Sequence, residues 1–137
     1  LLDRARCAVE RGVRPEAIVL DPGLGFGKTV GQNARLIGAA GRFVGSGYPV
    51  LCGASRKSFI GAVTGQSNPG DRVAGSVAIA VWQAMCGVRL FRVHDVLPHV
   101  EALAVVDRSR TMADSAKSAV RQLFESVHDA GTMADLQ

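Results

Sequence analysis

Long hydrophobic runs are absent from the sequence. No apolar stretch approaches the roughly 20 residues that cross a bilayer, and no basic segment followed by an apolar run opens the chain. Runs of like charge are absent too, since 16 basic and 12 acidic residues are scattered along the chain and leave a net charge of +4. Such a balance suits small anionic ligands as much as nucleic acid. We therefore expect a soluble, cytoplasmic protein without a membrane partner.

Cysteine and histidine are scarce, at three residues each. Cys7, Cys52 and Cys86 are odd in number, widely spaced and embedded in apolar segments, which disfavours a disulfide framework and a metal-binding knuckle. We expect all three to be buried, unreactive thiols in a reducing compartment. His99 and His128 fall on predicted helix surfaces, and we assign them no role.

The 137 residues, of which 47% are hydrophobic and 20% charged, suffice for one folded domain or part of one. Apolar periodicity indicates three strand–loop–helix units in succession. The first residue lies inside a helical pattern, so we expect the front of the chain to be cut. The predicted elements are a helix at 1–12, a strand at 17–20, a helix capped by Asn33, a strand at 49–52, helical segments up to Cys86 interrupted at 66–70, a strand at 89–93, a helix from Val96, a separate helix at 111–130 opened by a capping box at Thr111, and a frayed end at 131–137.

Unbroken apolar strands that alternate with helices predict a parallel sheet covered by helices. Both a doubly wound sheet and a (β/α)8 barrel fit that pattern. In either fold, function collects in the loops after the carboxyl ends of the strands, and the polar and glycine-rich clusters of this sequence fall there. The loops at 21–29, 53–58 and 94–95 therefore carry the candidate site.

The first of these loops is rich in glycine and ends in Lys28-Thr29. It misses the phosphate-binding motif by one residue, since Pro22 occupies a position that needs glycine, and the dinucleotide-binding pattern fails at Lys28. Asp21 closes the preceding strand. Its carboxylate suits a ligand edge with two adjacent N–H donors, or it caps the loop by accepting backbone N–H groups. The residues alone leave both roles open.

The second loop carries two cations, Arg56 and Lys57, beside Ser58 at the start of a short predicted helix. A helix start favours an anion such as a carboxylate. The residues alone favour the simpler interpretation, in which Ser55 caps the helix and both cations are solvated.

The third strand places Arg92 and His94 two residues apart, so their side chains point to one face. Two donor groups at one strand end make an anion site. A lone His94 would more often be a structural turn residue, but an arginine on the same face favours the anion site.

Three segments of the sequence stand out, in chain order: Asp21-Pro22-Gly23-Leu24-Gly25-Phe26-Gly27-Lys28, Ser55-Arg56-Lys57-Ser58-Phe59-Ile60-Gly61 and Arg92-Val93-His94-Asp95-Val96. Together they closely resemble the carboxyl-terminal half of the dihydropteroate synthase family. The match extends through Asn33, Leu36-Ile37, Asp71-Arg72 and Gly75-Ser76, over about residues 1–106. The resemblance implies a partial (β/α)8 TIM barrel, made of the last three or so βα units at 1–108, with an extra C-terminal helical extension at 109–137.

The resemblance implies an enzyme of folate synthesis. It would join 6-hydroxymethyl-7,8-dihydropterin pyrophosphate to 4-aminobenzoate and release pyrophosphate, with sulfonamides as competitors of 4-aminobenzoate. A Mg²⁺ ion would accompany the pyrophosphate, and the complete enzyme would be a homodimer that binds small molecules rather than nucleic acid. The family's metal-site asparagine lies in the front half, which the resemblance does not cover. We therefore expect no metal ligand in this chain and no activity from the chain alone.

Roles are carried over only where residues match. Asp21 would bind the N–H edge of the pterin, and Lys57 would reach the polar atoms of the pterin ring. Arg92 would lie against the pterin and, with His94, hold the leaving pyrophosphate. The resemblance therefore implies Lys57, Arg92 and His94 as catalytic residues.

The resemblance also implies a second pocket, in which Ser58 would receive the carboxylate of 4-aminobenzoate. Phe26 and Arg56 would shape that pocket. Two other classes remain open beside this interpretation: a nucleotide-binding α/β domain, which would use Lys28, and a non-catalytic half-barrel that binds a partner chain.

Overall fold

The computed structural model describes the backbone of residues 1–134 and the side chains of residues 1–122. The chain divides into two compact units, Leu1–Leu103 and Ala104–Gln137. Helices and parallel strands make up the first unit, so an α/β class is confirmed. The elements are α1 (Leu2–Glu10), α2 (Val30–Gly38), α3 (Ala40–Val44), β1 (Leu51–Cys52), α4 (Ser58–Thr64), α5 (Val73–Met85), β2 (Leu90–Phe91) and α6 (Val96–Ala134), with short 3₁₀ turns at Pro15–Ala17 and Pro69–Arg72.

The sheet is parallel and follows chain order. Strands β1 and β2 pair with Leu51 opposite Leu90, and a parallel bridge joins Leu20 to Val50 on the other side of β1. All three predicted strands therefore lie side by side, but each is shorter than predicted. The first is reduced to a bridge because Pro15, whose φ is fixed, opens a 3₁₀ turn that takes up Ala17.

Helix α2 begins earlier than predicted. Thr29 caps it, accepting a hydrogen bond from the backbone N–H of Gln32, while the Gln32 side chain accepts one from the N–H of Thr29. This reciprocal pair is a capping box, which satisfies two N–H groups that the helix start leaves unpaired. The prediction of Asn33 as the cap was wrong, and this residue is completely buried in the first turn.

The core of the first unit lies between the strands and the helices that follow them. Leu24 and Val88 are among its largest fully buried side chains. An apolar cavity of about 370 Å³ opens among α2, α4 and α5, lined by residues such as Ile37, Phe59 and Ile79. Its lining residues belong to these helices, and none of them lies in the loops at 21–29, 53–58 or 94–95.

The second unit is helical. Helix α6 continues without a break past Thr111, so the separate helix predicted there was wrong. The hydroxyl of Thr111 donates to the carbonyl of Asp107 one turn earlier, as it does inside a helix, instead of capping a new one. The helix also continues through Gly131 to Ala134, where we predicted a frayed end, and residues 135–137 lie outside the described part. No helix of the described chain is long and apolar enough to cross a membrane.

Two predictions of burial were wrong. Cys7 is exposed, because α1 buries only Ala5 among its residues, whereas Cys52 is buried and Cys86 is half-buried. His99 is buried rather than on a helix surface, and its Nδ1 lies 2.6 Å from the carbonyl oxygen of Asp95. The side chain of His128 lies outside the described residues.

Candidate functional site

The polar residues predicted for the site lie at the carboxyl ends of three adjacent parallel strands. The loop after the first strand runs from Asp21 to Thr29, the second follows β1, and the third follows β2. Contacts join the first loop to the second and the second to the third. Because neighbouring parallel strands end at the same edge of a sheet, one surface collects all three loops.

The first loop is held by hydrogen bonds from its own Asp21 and from Asn33 in α2. The Oδ1 atom of Asp21 accepts the backbone N–H of Gly23 at 2.8 Å. The Oδ1 atom of the buried Asn33 accepts the N–H of Gly25 at 2.8 Å, while its Nδ2 donates to the carbonyls of Lys28 and Thr29 at 3.3 and 2.9 Å. The loop therefore has a defined shape before any ligand binds.

Asp21 caps the loop, which is one of the two roles that the sequence left open. This role leaves part of the carboxylate's hydrogen-bonding capacity unused. A carboxylate has four acceptor positions, and the bond to Gly23 uses one of them. Asp21 is exposed, so its other oxygen is available to a ligand with adjacent N–H donors.

Lys28 closes the loop. Its ammonium donates to the carbonyl oxygens of Gly23 at 2.8 Å and Phe26 at 3.0 Å. A lysine that binds phosphate in a nucleotide loop must present its ammonium to the ligand, whereas this one is committed to backbone carbonyls. The geometry therefore disfavours the nucleotide-binding alternative.

Lys57 links the first loop to the second. Its Nζ stands 3.4 Å from the centroid of the Phe26 ring, a cation–π contact. Its methylene stem runs across Gly25, where an added Cβ would come within 2.7 Å of Lys57 Cδ. Gly25 also has a φ of +80°, so this position needs glycine both for its backbone and for the close approach. Phe26 itself is 60% exposed and presents its ring at the surface.

The second loop is fixed around Arg56, whose φ of +58° is unusual for a residue with a side chain. Its backbone N–H donates to the hydroxyl of the buried Ser76 at 2.9 Å. Its carbonyl accepts from Nη1 of Arg72 at 3.0 Å. Both backbone groups are thus satisfied by side chains from other elements, which holds the loop in its strained turn.

The guanidinium of Arg56 forms a two-bond ion pair with Asp95 in the third loop, through Nε at 2.9 Å and through Nη2. This hydrogen-bonded pairing raises the pKa of Arg56 and lowers the pKa of the Asp95 carboxyl below its ordinary value. The charge of Arg56 is therefore paired within the protein, and the side chain ties the second loop to the third.

Arg92 and His94 both stand exposed at the end of β2, as predicted. The backbone N–H of Arg92 donates to the carbonyl of Cys52 at 3.0 Å, and its guanidinium lies over Gly53, where an added Cβ would approach Nη2 to 3.0 Å. His94 is tied to the buried Ser55, whose Oγ accepts the His94 N–H at 3.1 Å and lies 3.1 Å from Nδ1. Ser55 therefore does not cap α4.

Ser58 is the first residue of α4 and is exposed. The helix begins after Lys57, and no side chain caps its first turn. Ser58 is therefore accessible to a ligand at the start of α4.

The charged side chains of the three loops form a cluster with a net positive charge. Arg56 is neutralised by Asp95, whereas no ion pair with Lys57 or Arg92 occurs among the described side chains. The cluster can therefore attract an anion without first breaking a salt bridge.

Metal-binding residues are not grouped here. Within residues 1–122, no three His, Cys, Asp or Glu side chains lie close enough to hold a metal ion. Mg²⁺ needs oxygen ligands, and the carboxylate of Asp95 is occupied by Arg56. The residues present do not fit a Mg²⁺ site.

Cys52 lies under the site but outside its chemistry. Burial raises the pKa of its thiol to about 11; a hydrogen bond from the Ala54 backbone opposes that shift, and the nearby carboxylate of Asp21 adds to it. The thiolate is the reactive form of cysteine, so Cys52 is inert near neutral pH.

Sequence reasoning missed the residues that support the site. Asn33, Ser55 and Ser76 are buried polar side chains whose partners are backbone groups of the loops. Asn33 and Ser55 each gave a local signal, since both stand near the predicted start of a helix. We interpreted both signals as helix caps, whereas Ser76 gave none that we used.

Comparison with known proteins gives a consistent result. A family model described as pterin binding enzyme matches residues 1–94. The dihydropteroate synthase of Escherichia coli K12 is 44% identical over 103 residues, which cover 75% of this chain and 36% of that protein.

Solved structures are similar over the same region. Xanthomonas albilineans dihydropteroate synthase in complex with 7,8-dihydropteroate is 41% identical, with a TM-score of 0.78 over 80% of this chain and 43% of that chain. The same enzyme with 4-aminobenzoic acid is 41% identical and has a TM-score of 0.77, over 80% and 41% of the two chains.

The chain spans about a third of the length of the curated relatives it matches. The family model nevertheless covers more than half of the chain, including the loops that carry Asp21, Lys57 and Arg92. Sequence, fold and site geometry therefore agree that this chain belongs to the family of pterin binding enzymes.

Proposed function

We propose that this chain supplies three substrate-binding loops of a dihydropteroate synthase, on three βα units of a (β/α)8 barrel. The observation that carries the proposal is that side chains of adjacent loops lie against one another: the Lys57 ammonium lies over the Phe26 ring, and the Arg92 guanidinium lies over Gly53. A flat aromatic surface, an exposed carboxylate and unpaired cations are thereby gathered at one sheet edge. Those groups suit a heterocycle with N–H donors that carries a pyrophosphate.

The pterin would be bound by Asp21 and Lys57. The free oxygen of Asp21 accepts one of the two donors, the 2-amino group or the adjacent ring N–H, and the unused lone pair of Oδ1 accepts the other beside the Gly23 amide. Lys57, steadied by its stem on Gly25 and its ammonium on Phe26, donates to the polar ring atoms on the opposite edge. The heterocycle is thus oriented by one acceptor and one donor.

Arg92 and His94 would hold the pyrophosphate. As the C–O bond to the pterin methylene breaks, its electron pair goes to the pyrophosphate oxygen, and these donors stabilise the developing charge. The nitrogen of 4-aminobenzoate forms the new C–N bond and loses a proton to water. Lys57, Arg92 and His94 are therefore the proposed catalytic residues, and no general base is required among them.

The 4-aminobenzoate would lie at the second loop, with its carboxylate at the Ser58 hydroxyl and its ring near Phe26. Arg56 contributes only by holding this loop on Asp95. Sulfonamides would compete here. Residues 1–108 would form the catalytic part and 109–137 an extension, in a cytoplasmic homodimer. No step is assigned to Mg²⁺, because the described residues offer no site for it.

The test is a steady-state assay of the full-length protein with both substrates and variants at the cationic end. Arg92→Ala should raise the KM for the pterin pyrophosphate at least tenfold, since one charged hydrogen bond is worth about 1.5–3 kcal/mol. The KM for 4-aminobenzoate should change much less. Asp21→Asn should weaken pterin binding by a similar factor.

Arg89→Ala is the matched control, because Arg89 is equally exposed but precedes β2 and lies at the opposite end of that strand. It should leave both KM values near those of the wild type. Equal losses for both substrates in Arg92→Ala would contradict an anion site at this position. Failure of the wild-type protein to form dihydropteroate would refute the proposed activity and favour the non-catalytic alternative.

A further inference from the structure

Ser55 stands behind His94 and is 5% exposed. Its Oγ lies 3.1 Å from the backbone N–H of His94, and also 3.1 Å from the ring Nδ1 of the same residue. The backbone N–H can only donate, so one lone pair of the hydroxyl is committed to it. What remains is one O–H proton and one lone pair facing Nδ1.

Only one tautomer of a neutral His94 satisfies this arrangement. If Nδ1 carried the ring proton, Ser55 would accept twice, and its own proton would face no acceptor among the described residues. If Nδ1 is unprotonated, the hydroxyl donates to it and every group is paired. The ring proton then sits on Nε2. That nitrogen has no hydrogen-bond partner within the described chain, and His94 is exposed.

We infer that Ser55 is a positioning residue that fixes His94 as the Nε2–H tautomer, so that the imidazole presents an N–H donor to the bound anion. The hydrogen bond that one ring nitrogen makes to a neighbouring residue decides whether the other nitrogen carries a proton and can donate it to a ligand. The tautomer follows from the contacts of Ser55 alone. The assignment of the anion as the pyrophosphate of the substrate rests on the proposed function.

The direct test is nitrogen NMR of the full-length protein labelled with ¹⁵N-histidine, at a pH where free imidazole is neutral. His94→Gln assigns the resonances. In the wild type, Nδ1 of His94 should resonate in the range of an unprotonated imidazole nitrogen and Nε2 in that of a protonated one. The opposite pattern in the wild type would overturn the inference without any variant of Ser55.

Ser55→Ala should convert His94 to a mixture of tautomers and weaken binding of inorganic pyrophosphate about fivefold to tenfold, the equivalent of one net hydrogen bond. Ser55→Thr keeps a hydroxyl and should restore the wild-type resonances. Ser58→Ala removes an exposed hydroxyl at the start of α4, three residues after Ser55, and should leave the His94 tautomer unchanged. An unchanged tautomer in Ser55→Ala would refute the positioning role, whereas a wild type that has the expected tautomer but forms no dihydropteroate would refute only the proposed function.

Discussion

Replacement of Asn33 by alanine should destabilise the protein by about 3 kcal/mol. The side chain is completely buried and makes three hydrogen bonds to the first loop, to the N–H of Gly25 and to the carbonyls of Lys28 and Thr29. Each bond contributes about 1 kcal/mol net, and alanine offers no replacement partner for the groups left behind. Because the Gly25 N–H loses its acceptor, its amide hydrogen exchange should become faster, in addition to the loss of overall free energy of unfolding.

The assay is urea unfolding of the full-length protein, together with amide hydrogen exchange at Gly25. Asn68→Ala is a matched control, since the Asn68 side chain also accepts a glycine N–H, that of Gly70, but at an exposed turn. Asn68→Ala should lower the free energy of unfolding by about 1 kcal/mol or less. A loss in Asn33→Ala no larger than in the control, with the exchange of Gly25 unchanged, would refute the conclusion that Asn33 holds the loop.

Three further predictions concern Gly25, the cysteines and Asp95. Gly25→Ala should cost about 1–2 kcal/mol from its positive φ and displace the Lys57 stem, which calorimetry and pterin binding would detect; unchanged values of both would contradict the close approach. Iodoacetamide near pH 8 should label Cys7 and spare Cys52, whose pKa is about 11, and peptide mapping that finds Cys52 labelled in the folded protein would contradict its burial. The lowered pKa of Asp95 adds stability above the ordinary carboxyl pKa of about 3.9, and this contribution is lost as the pH falls through the lowered value. Asp95→Asn should therefore flatten the acid limb of the pH–stability curve, and an identical limb would count against the ion pair.

Local patterns in the sequence were sufficient for the order of the elements. Apolar runs before the glycine-rich loop and before Arg92 predicted parallel strands, and the structure has parallel pairs at those places. The site residues also lie at the strand ends, as predicted, because the carboxyl end of a parallel strand always faces the same edge. The three motifs likewise predicted the family, since each is a contiguous stretch of chain.

Element limits were less predictable. The first strand shrank to a bridge at Leu20 because Pro15 opens a 3₁₀ turn. The predicted break before Thr111 does not exist, since a threonine hydroxyl can bond to the preceding turn as readily as it can cap a helix. In both cases a local signal had two physical meanings, and neighbouring residues decided between them.

What the sequence by itself determined is the chemistry available at the site: the carboxylate of Asp21, the cations and their place after the strands. Only the tertiary structure decided which of those groups are free. Arg56 is committed to Asp95, and Ser55 to His94, across 39 residues of sequence in each case. The exposure of Cys7 and the burial of His99 were settled in the same way. Burial and hydrogen-bond pairing depend on which segments meet in space, and no spacing along the chain specifies that.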